Sequence, residues 1–305
     1  MTLAPRRLLL NDEGASAVHY LDLDAPARSW TFSGPGRDLQ LIGDGHVLRS
    51  TPTGFVELSL ADGRPRREVT LPGLPGIESA RRLANGNTVV LGNGDNGIYV
   101  CELDVRAEPV AGRVLVGAGL LKGRLVRHTS SGSLLFCSET NGQRLIHEAT
   151  WSGGVKTLFR IPEGVPADSM LKAVRVAADR VVVSAGYSAS LLVIDTARGE
   201  VVQTIGGKAQ PQPPGLRRSL SPNFFSGFQR LPDGAYLIAN WQGHGPSHGR
   251  DGYQVLMYGA DGQLRWSFDQ TEYPQMKSLN NVVALDGLDT SRLHDERHGV
   301  IEVVN

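Results

Sequence analysis

The segment Asn240–Gly252 holds the densest group of chemistry-bearing side chains in the chain: Trp241, His244, His248 and Arg250. Two histidines four apart share one face only on a helix, so on a loop this spacing is a weak metal signal. A neutral imidazole can take or give a proton near neutral pH. An indole offers a flat apolar platform for a sugar or another planar ligand. Asn240, Trp241 and His244 are therefore candidate ligand contacts, with His248 and Arg250 expected to meet solvent. The loop is longer than the ~2–5 residues of a plain hairpin, and long ordered loops are usually functional. His294, Asp295 and His298 form a second polar group, expected to lie on an exposed loop.

Other chemistries lack their residues. No nucleophile elbow, zinc motif or dinucleotide fingerprint occurs. Gly206–Arg218 contains Gly-Gly-Lys but not the strand–GxxxxGK–helix context, and its prolines favour an extended linker. That linker is expected on the same face as the histidine loop, where it could act as a lid. Cys101 and Cys137 have no metal spacing and read as buried thiols.

The elements that position these residues come from a repeat. Leu83-Ala84-Asn85-Gly86-Asn87-Thr88-Val89-Val90-Leu91 and Leu231-Pro232-Asp233-Gly234-Ala235-Tyr236-Leu237-Ile238 are its clearest copies. Looser ones centre on residues 45, 132, 179 and 287. Asn-Gly and Asp-Gly between apolar runs signal a hairpin, because the central residues must tolerate positive φ. Two more strands follow most hairpins, giving four antiparallel strands per unit, the pattern of a propeller blade. The sixth unit is split. Leu279–Leu285 is a first strand without successors, while Arg7–Asn11 and Val18–Asp22 copy later strands of a blade. One composite blade should therefore close the ring. Val300–Val304 is left over and leaves seven blades open as an alternative.

These hairpins, with Ala260-Asp261-Gly262-Gln263-Leu264-Arg265-Trp266, resemble bacterial six-bladed β-propellers of the TolB-like, gluconolactonase-like and quinoprotein-like kind. The resemblance covers most of the chain and implies an all-β, six-bladed fold of four-stranded antiparallel blades. Its motifs identify blades and not an activity. Gluconolactonase-like propellers hold calcium in the channel with carboxylate and amide oxygens, which makes Asp38, Glu78, Asn280 and Asn281 calcium candidates. The quinone-dependent reading rests on the Ala260–Trp266 turn alone.

Seven residues before the repeat centres stand Asp38, Ser79, Leu125, Lys172, Gly227 and Asn280, with Glu78 and Asn281 adjacent. A common offset on a strand predicts a common depth. Asp38, Glu78, Lys172, Asn280 and Asn281 are thus expected at the channel mouth, with Asp38 paired to Lys172 or the carboxylates on a cation. Loops after the second strands add Asn93, Glu139 and Tyr187, and Asn11, Asp12 and Glu13 match them in the composite blade. Asn, Asp and Ser also suit tight turns without any ligand.

Lys plus Arg and Asp plus Glu number 31 each, so no net positive charge favours nucleic acid. No apolar run approaches the ~18 residues of a membrane span. Leu8–Leu10 is too short for a secretory signal of roughly 7–15 apolar residues. One domain over residues 1–305, a monomer and a cytoplasmic site are expected, or a periplasmic one if a leader was removed. The expected function is binding of a small molecule, glycan or protein at a polar pocket. The alternative is a hydrolase or lactonase using channel carboxylates, with or without calcium.

Overall fold

The computed structural model describes residues 4–118, 120, 122–152 and 154–304. Six four-stranded antiparallel sheets form a ring. Blade one joins Leu279–Ala284 to Arg7–Asp12, Ala17–Asp22 and Trp30–Ser33. Its closure is antiparallel, with Leu8 opposite Ala284 and Asn11 opposite Asn281. The first strands of blades two to six are Leu39–Gly43, Ile77–Arg82, Arg127–His128, Ala173–Ala177 and Phe224–Arg230.

The hairpins form where the repeat places them. In Leu83–Asn87 the Gly86 amide donates to the Leu83 carbonyl and the Leu83 amide to Asn87. Leu231–Ala235 repeats both bonds. Gly86 and Gly234 have φ of +86° and +88°, the left-handed conformation that follows a type I turn in such loops.

The inner strands are buried on both faces over most of their length, because each blade stacks on two neighbours. Leu8 and Leu10 pack toward blade six, and Leu9 between them packs toward blade two. Val89 and Leu91 likewise face blade four, and Val90 faces blade two. This alternation explains why the strands read as continuous apolar runs. Polar side chains tie strands within blades. In blade one His19 bonds Thr31 Oγ1 at 2.8 Å and Asp12 at 3.2 Å. In blade four His147 bonds Ser138 at 2.7 Å and Thr157 at 3.2 Å. Burial pushes His147 down to about 4, so it stays neutral and ties strands together.

Val300–Val304 joins no blade, which corrects the seven-blade alternative. Glu302–Val303 pairs with His294–Asp295 in a separate two-stranded sheet. Leu293 bridges Ile42 and Val300 bridges Arg230, at the far ends of two first strands. The C-terminal hairpin therefore lies across the lower end of the channel. The upper end is where the first strands begin and the second strands finish. His294 and Asp295 are buried, so the expectation of an exposed loop is corrected for both, while His298 is exposed. None of the helices among the described residues is long and apolar enough to cross a membrane.

Candidate ligand pocket on the upper face

The second strand of blade six ends at Trp241, which delivers the indole to the upper face. Trp241 Nε1 donates to Glu13 Oε2 at 2.8 Å, and His244 Nδ1 lies 2.8 Å from Glu13 Oε1. Glu13 comes from the turn after the second strand of blade one, so ring closure places it there. The Trp241 ring stands edge-on to His244, at 4.7 Å between centroids, and to Phe224, at 5.5 Å. Phe224 meets Tyr187 at 4.8 Å. These rings form one wall of the pocket.

The opposite wall is basic. Arg37 Nε lies 2.5 Å from one oxygen of Glu78, and Arg124 donates to the other at 3.0 Å. Both arginines stand just before first strands, where the chain enters the channel. Burial pulls the Arg37 guanidinium below its ordinary value, and Glu78 opposes that pull. One carboxylate shared by two guanidiniums leaves one positive charge over on this wall, which faces the Glu13 carboxylate across the pocket. Asn280 completes the floor, and a second hollow lined by Pro35, Gly36 and Thr51 shares Glu13, Arg37 and Asn280 with the first.

Of the sequence candidates, Tyr187, Trp241, His244 and Asn280 line this pocket together. Glu78 stands behind it through the arginines. Glu139 bonds Lys122 at 2.9 Å and the Ser169 amide at 2.7 Å, so it holds one lining residue in place. Asn240 is fully buried; it accepts from the Asn223 amide and donates to Tyr253 and Ser221 carbonyls. It anchors the loop and does not line this pocket. Asn93 donates to Gly123 O at 2.9 Å, away from the aromatic wall. Asn281 donates to Arg37 O at 3.1 Å and faces the channel. Glu13, at the matching position of the composite blade, lines it as well, whereas Arg37, Arg124 and Phe224 were not among the sequence candidates. His248 begins a short 3-10 turn, and none of the linker Gly206–Arg218 lines the pocket.

Asp38 and Lys172 do not reach the mouth. They lie one layer lower, in the channel, and do not pair with each other. Asp38 takes two bonds from Arg127, at 2.9 and 3.1 Å, and one from Ser79. Lys172 Nζ donates to Glu296 at 2.7 Å and to Phe228 O at 2.5 Å. Arg127 also meets Glu296, at 2.6 Å, and Arg81 meets Asp295 at 2.5 Å. Three carboxylates thus balance three cations, as burial in a narrow channel requires. Two of those carboxylates, Asp295 and Glu296, belong to the C-terminal segment. Burial acts to raise both their pKa values, but the cations outweigh it and hold both below the ordinary 3.8 and 4.5. Burial pulls Lys172 down to about 8, against the attraction of Glu296.

Both carboxyls bind protons less readily folded than unfolded. Their stabilisation is complete above about pH 5 and is lost as pH falls through and below the unfolded values. Urea midpoints should therefore hold steady down to about pH 5 and drop below it, less steeply in Glu296→Gln. Parallel curves for the two proteins would exclude this role for Glu296.

The calcium candidates do not form a cation cage. Asp38 is held by Arg127 and Ser79, and Glu78 by Arg37 and Arg124, so each carboxylate already has its counter-charge. Among the described residues no three His, Cys, Asp or Glu side chains are grouped to hold a metal. The Ala260–Trp266 turn lies on the outer strand of blade six, where Asp261 caps its own turn by accepting from the Gln263 amide.

Comparison with solved structures decides the fold. A Bacteroides caccae protein of unknown function superposes with a TM-score of 0.70 at 16% identity, covering 92% of this chain and 98% of its own. The chain is a six-bladed β-propeller. The propeller is also similar to the calcium-binding protein regucalcin from Agrobacterium tumefaciens, with a TM-score of 0.58, 12% identity and coverage of 87% and 94%. Virginiamycin B lyase from Staphylococcus aureus gives 0.55 at 14% identity, covering 88% and 82%. No family model and no curated protein matches the chain. At these identities the likeness is one of fold.

Proposed function

We propose that this propeller binds a small organic anion at its upper face. The carrying observation is the pairing of two guanidiniums sharing one carboxylate, Arg37 and Arg124 on Glu78, with the opposed wall of Tyr187, Phe224 and Trp241. Charged oxygens of the ligand would meet the arginines, and its planar part would lie against the rings. A concave apolar wall with a few convergent polar groups is the usual form of a small-molecule site. It supports a small ligand over a glycan or a flat protein partner. The engaged state of Asp38 and Glu78 supports binding without calcium.

A second reading rests on the 2.8 Å contact of His244 with Glu13. Glu13 fixes the tautomer of an exposed imidazole and leaves Nε2 facing outward, an arrangement suited to a general base. In that case the pocket turns over its anion by proton transfer, and the lactonase reading would proceed through His244 and not through the channel carboxylates.

Benzoate is a suitable probe, with benzylamine as the cationic control. Titration calorimetry should detect benzoate and not benzylamine. Arg37→Ala and Arg124→Ala should each weaken benzoate about 10–100-fold, the size of a lost charge-assisted hydrogen bond. Trp241 is buried, so alanine there also costs packing; His244→Ala is exposed and should affect turnover more than affinity. Equal binding of benzoate and benzylamine, or of neither, overturns the anion reading.

A further inference from the structure

We propose that Asn280 is a donor-only contact for the ligand, its amide turned toward the pocket by the buried Arg49 acting through Asn11. The inference rests on the anion-binding reading and adds which atom of the ligand must stand at the pocket floor: an oxygen acceptor, as in a carboxylate.

Hydrogen-bond polarity sets the orientation of these amides. A guanidinium has only donors. Arg49 is fully buried, and its Nε donates to Asn11 Oδ1 at 2.7 Å. That contact fixes which end of the Asn11 amide is oxygen. Asn11 Nδ2 must then point the other way, and it donates to Gly36 O at 2.6 Å and to Asn280 Oδ1 at 2.5 Å. The Asn280 oxygen is thereby committed to the protein. Its Nδ2 is buried, has no hydrogen-bond partner and belongs to a residue lining both hollows of the upper face. A buried donor left unmatched is costly, so such a group in a pocket points to an acceptor that arrives with the ligand.

The relay is sealed from solvent. A Cβ at Gly36 would stand 2.5 Å from Arg49 Nε, so only glycine lets the backbone pass over the guanidinium. Arg49 and Asn11 line neither hollow, which makes them positioning residues. Asn280 would be the contact itself.

The test uses selectively Asn-labelled protein and benzoate. The Asn280 side-chain amide signal is identified by its loss in Asn280→Leu. In the free protein its protons should exchange with water, and benzoate should shift and protect them. Asn280→Leu and Asn280→Asp should each weaken benzoate at least tenfold. Asn11→Asp carries the sharper test, because a carboxylate there accepts from both Arg49 and Asn280. The Asn280 amide should turn round, its protons should become protected without ligand, and benzoate should weaken about tenfold. Arg49→Lys, still donor-only, should keep the parent signal, whereas Arg49→Gln should lose it. Protected Asn280 protons in the free parent protein overturn the inference whether or not benzoate binds. Benzoate that needs Arg37 and Arg124 but ignores Asn280→Leu overturns it and leaves the anion reading standing.

Discussion

Glu296→Gln should destabilise the propeller by about 3–5 kcal/mol at pH 7, the cost of leaving a buried charge without its partner. Glu296 is the hinge of the channel network, with one oxygen on Lys172 and the other on Arg127. All three side chains are almost wholly buried, so water cannot replace the lost carboxylate. The change is close to isosteric, which isolates charge from packing. It leaves Arg81, Arg127 and Lys172 facing only Asp38 and Asp295.

The double variant Glu296→Gln with Lys172→Met tests the cause. It restores equal numbers of buried charges, two of each sign, and Met fits beside Phe228, whose ring Lys172 Nζ already overlies at 5.0 Å. At least half of the lost stability should return in urea titrations. A single variant costing under about 1 kcal/mol would place the network among solvent-screened pairs, and the charge-balance argument would fail.

How far the sequence reaches is clear from particular residues. Asn85-Gly86 and Asp233-Gly234 announce their turns because few other pairs tolerate that backbone. Leu279–Leu285 announces ring closure because it has no strand after it to pair with. The pocket was harder to read. A fixed offset from the turn places Asn280 in the pocket but Asp38 and Lys172 a layer below. The first strands carry register shifts at different points, at Ile77/Ser79 in blade three and Phe225/Phe228 in blade six. Each shift changes which residue faces the channel at a given depth. Arg37 and Arg124 stand in connecting segments, where an arginine ordinarily signals a solvated surface. Glu296 and Asp295 sit in a polar stretch whose partners lie 124 and 214 residues away, so nothing local marks them as buried. Asn240 shows the opposite error: an asparagine at the end of a strand looked like a ligand contact and proved to be a backbone anchor.

Removing residues 275–305 should abolish folding, whereas removing only 291–305 should leave a folded, weakened propeller. The longer deletion takes Leu279–Ala284 away from Arg7–Asp12 and exposes an unpaired strand edge in a closed ring. It also strips Leu279 and Val282 from the core shared by blades one and six, and Val283 from the core shared by blades one and two. The shorter deletion keeps every blade paired and removes only the C-terminal hairpin. Its cost is electrostatic, because Arg81, Arg127 and Lys172 then face Asp38 alone. Such a channel should take up anions. Sulfate should raise the melting temperature of the 1–290 protein more than that of the parent, since a ligand stabilises the state that binds it. Circular dichroism and gel filtration separate the two outcomes. A cooperative, monomeric 1–274 protein would show that the composite blade is dispensable. Equal sulfate shifts in the 1–290 and full-length proteins would show that the hairpin does not neutralise the channel.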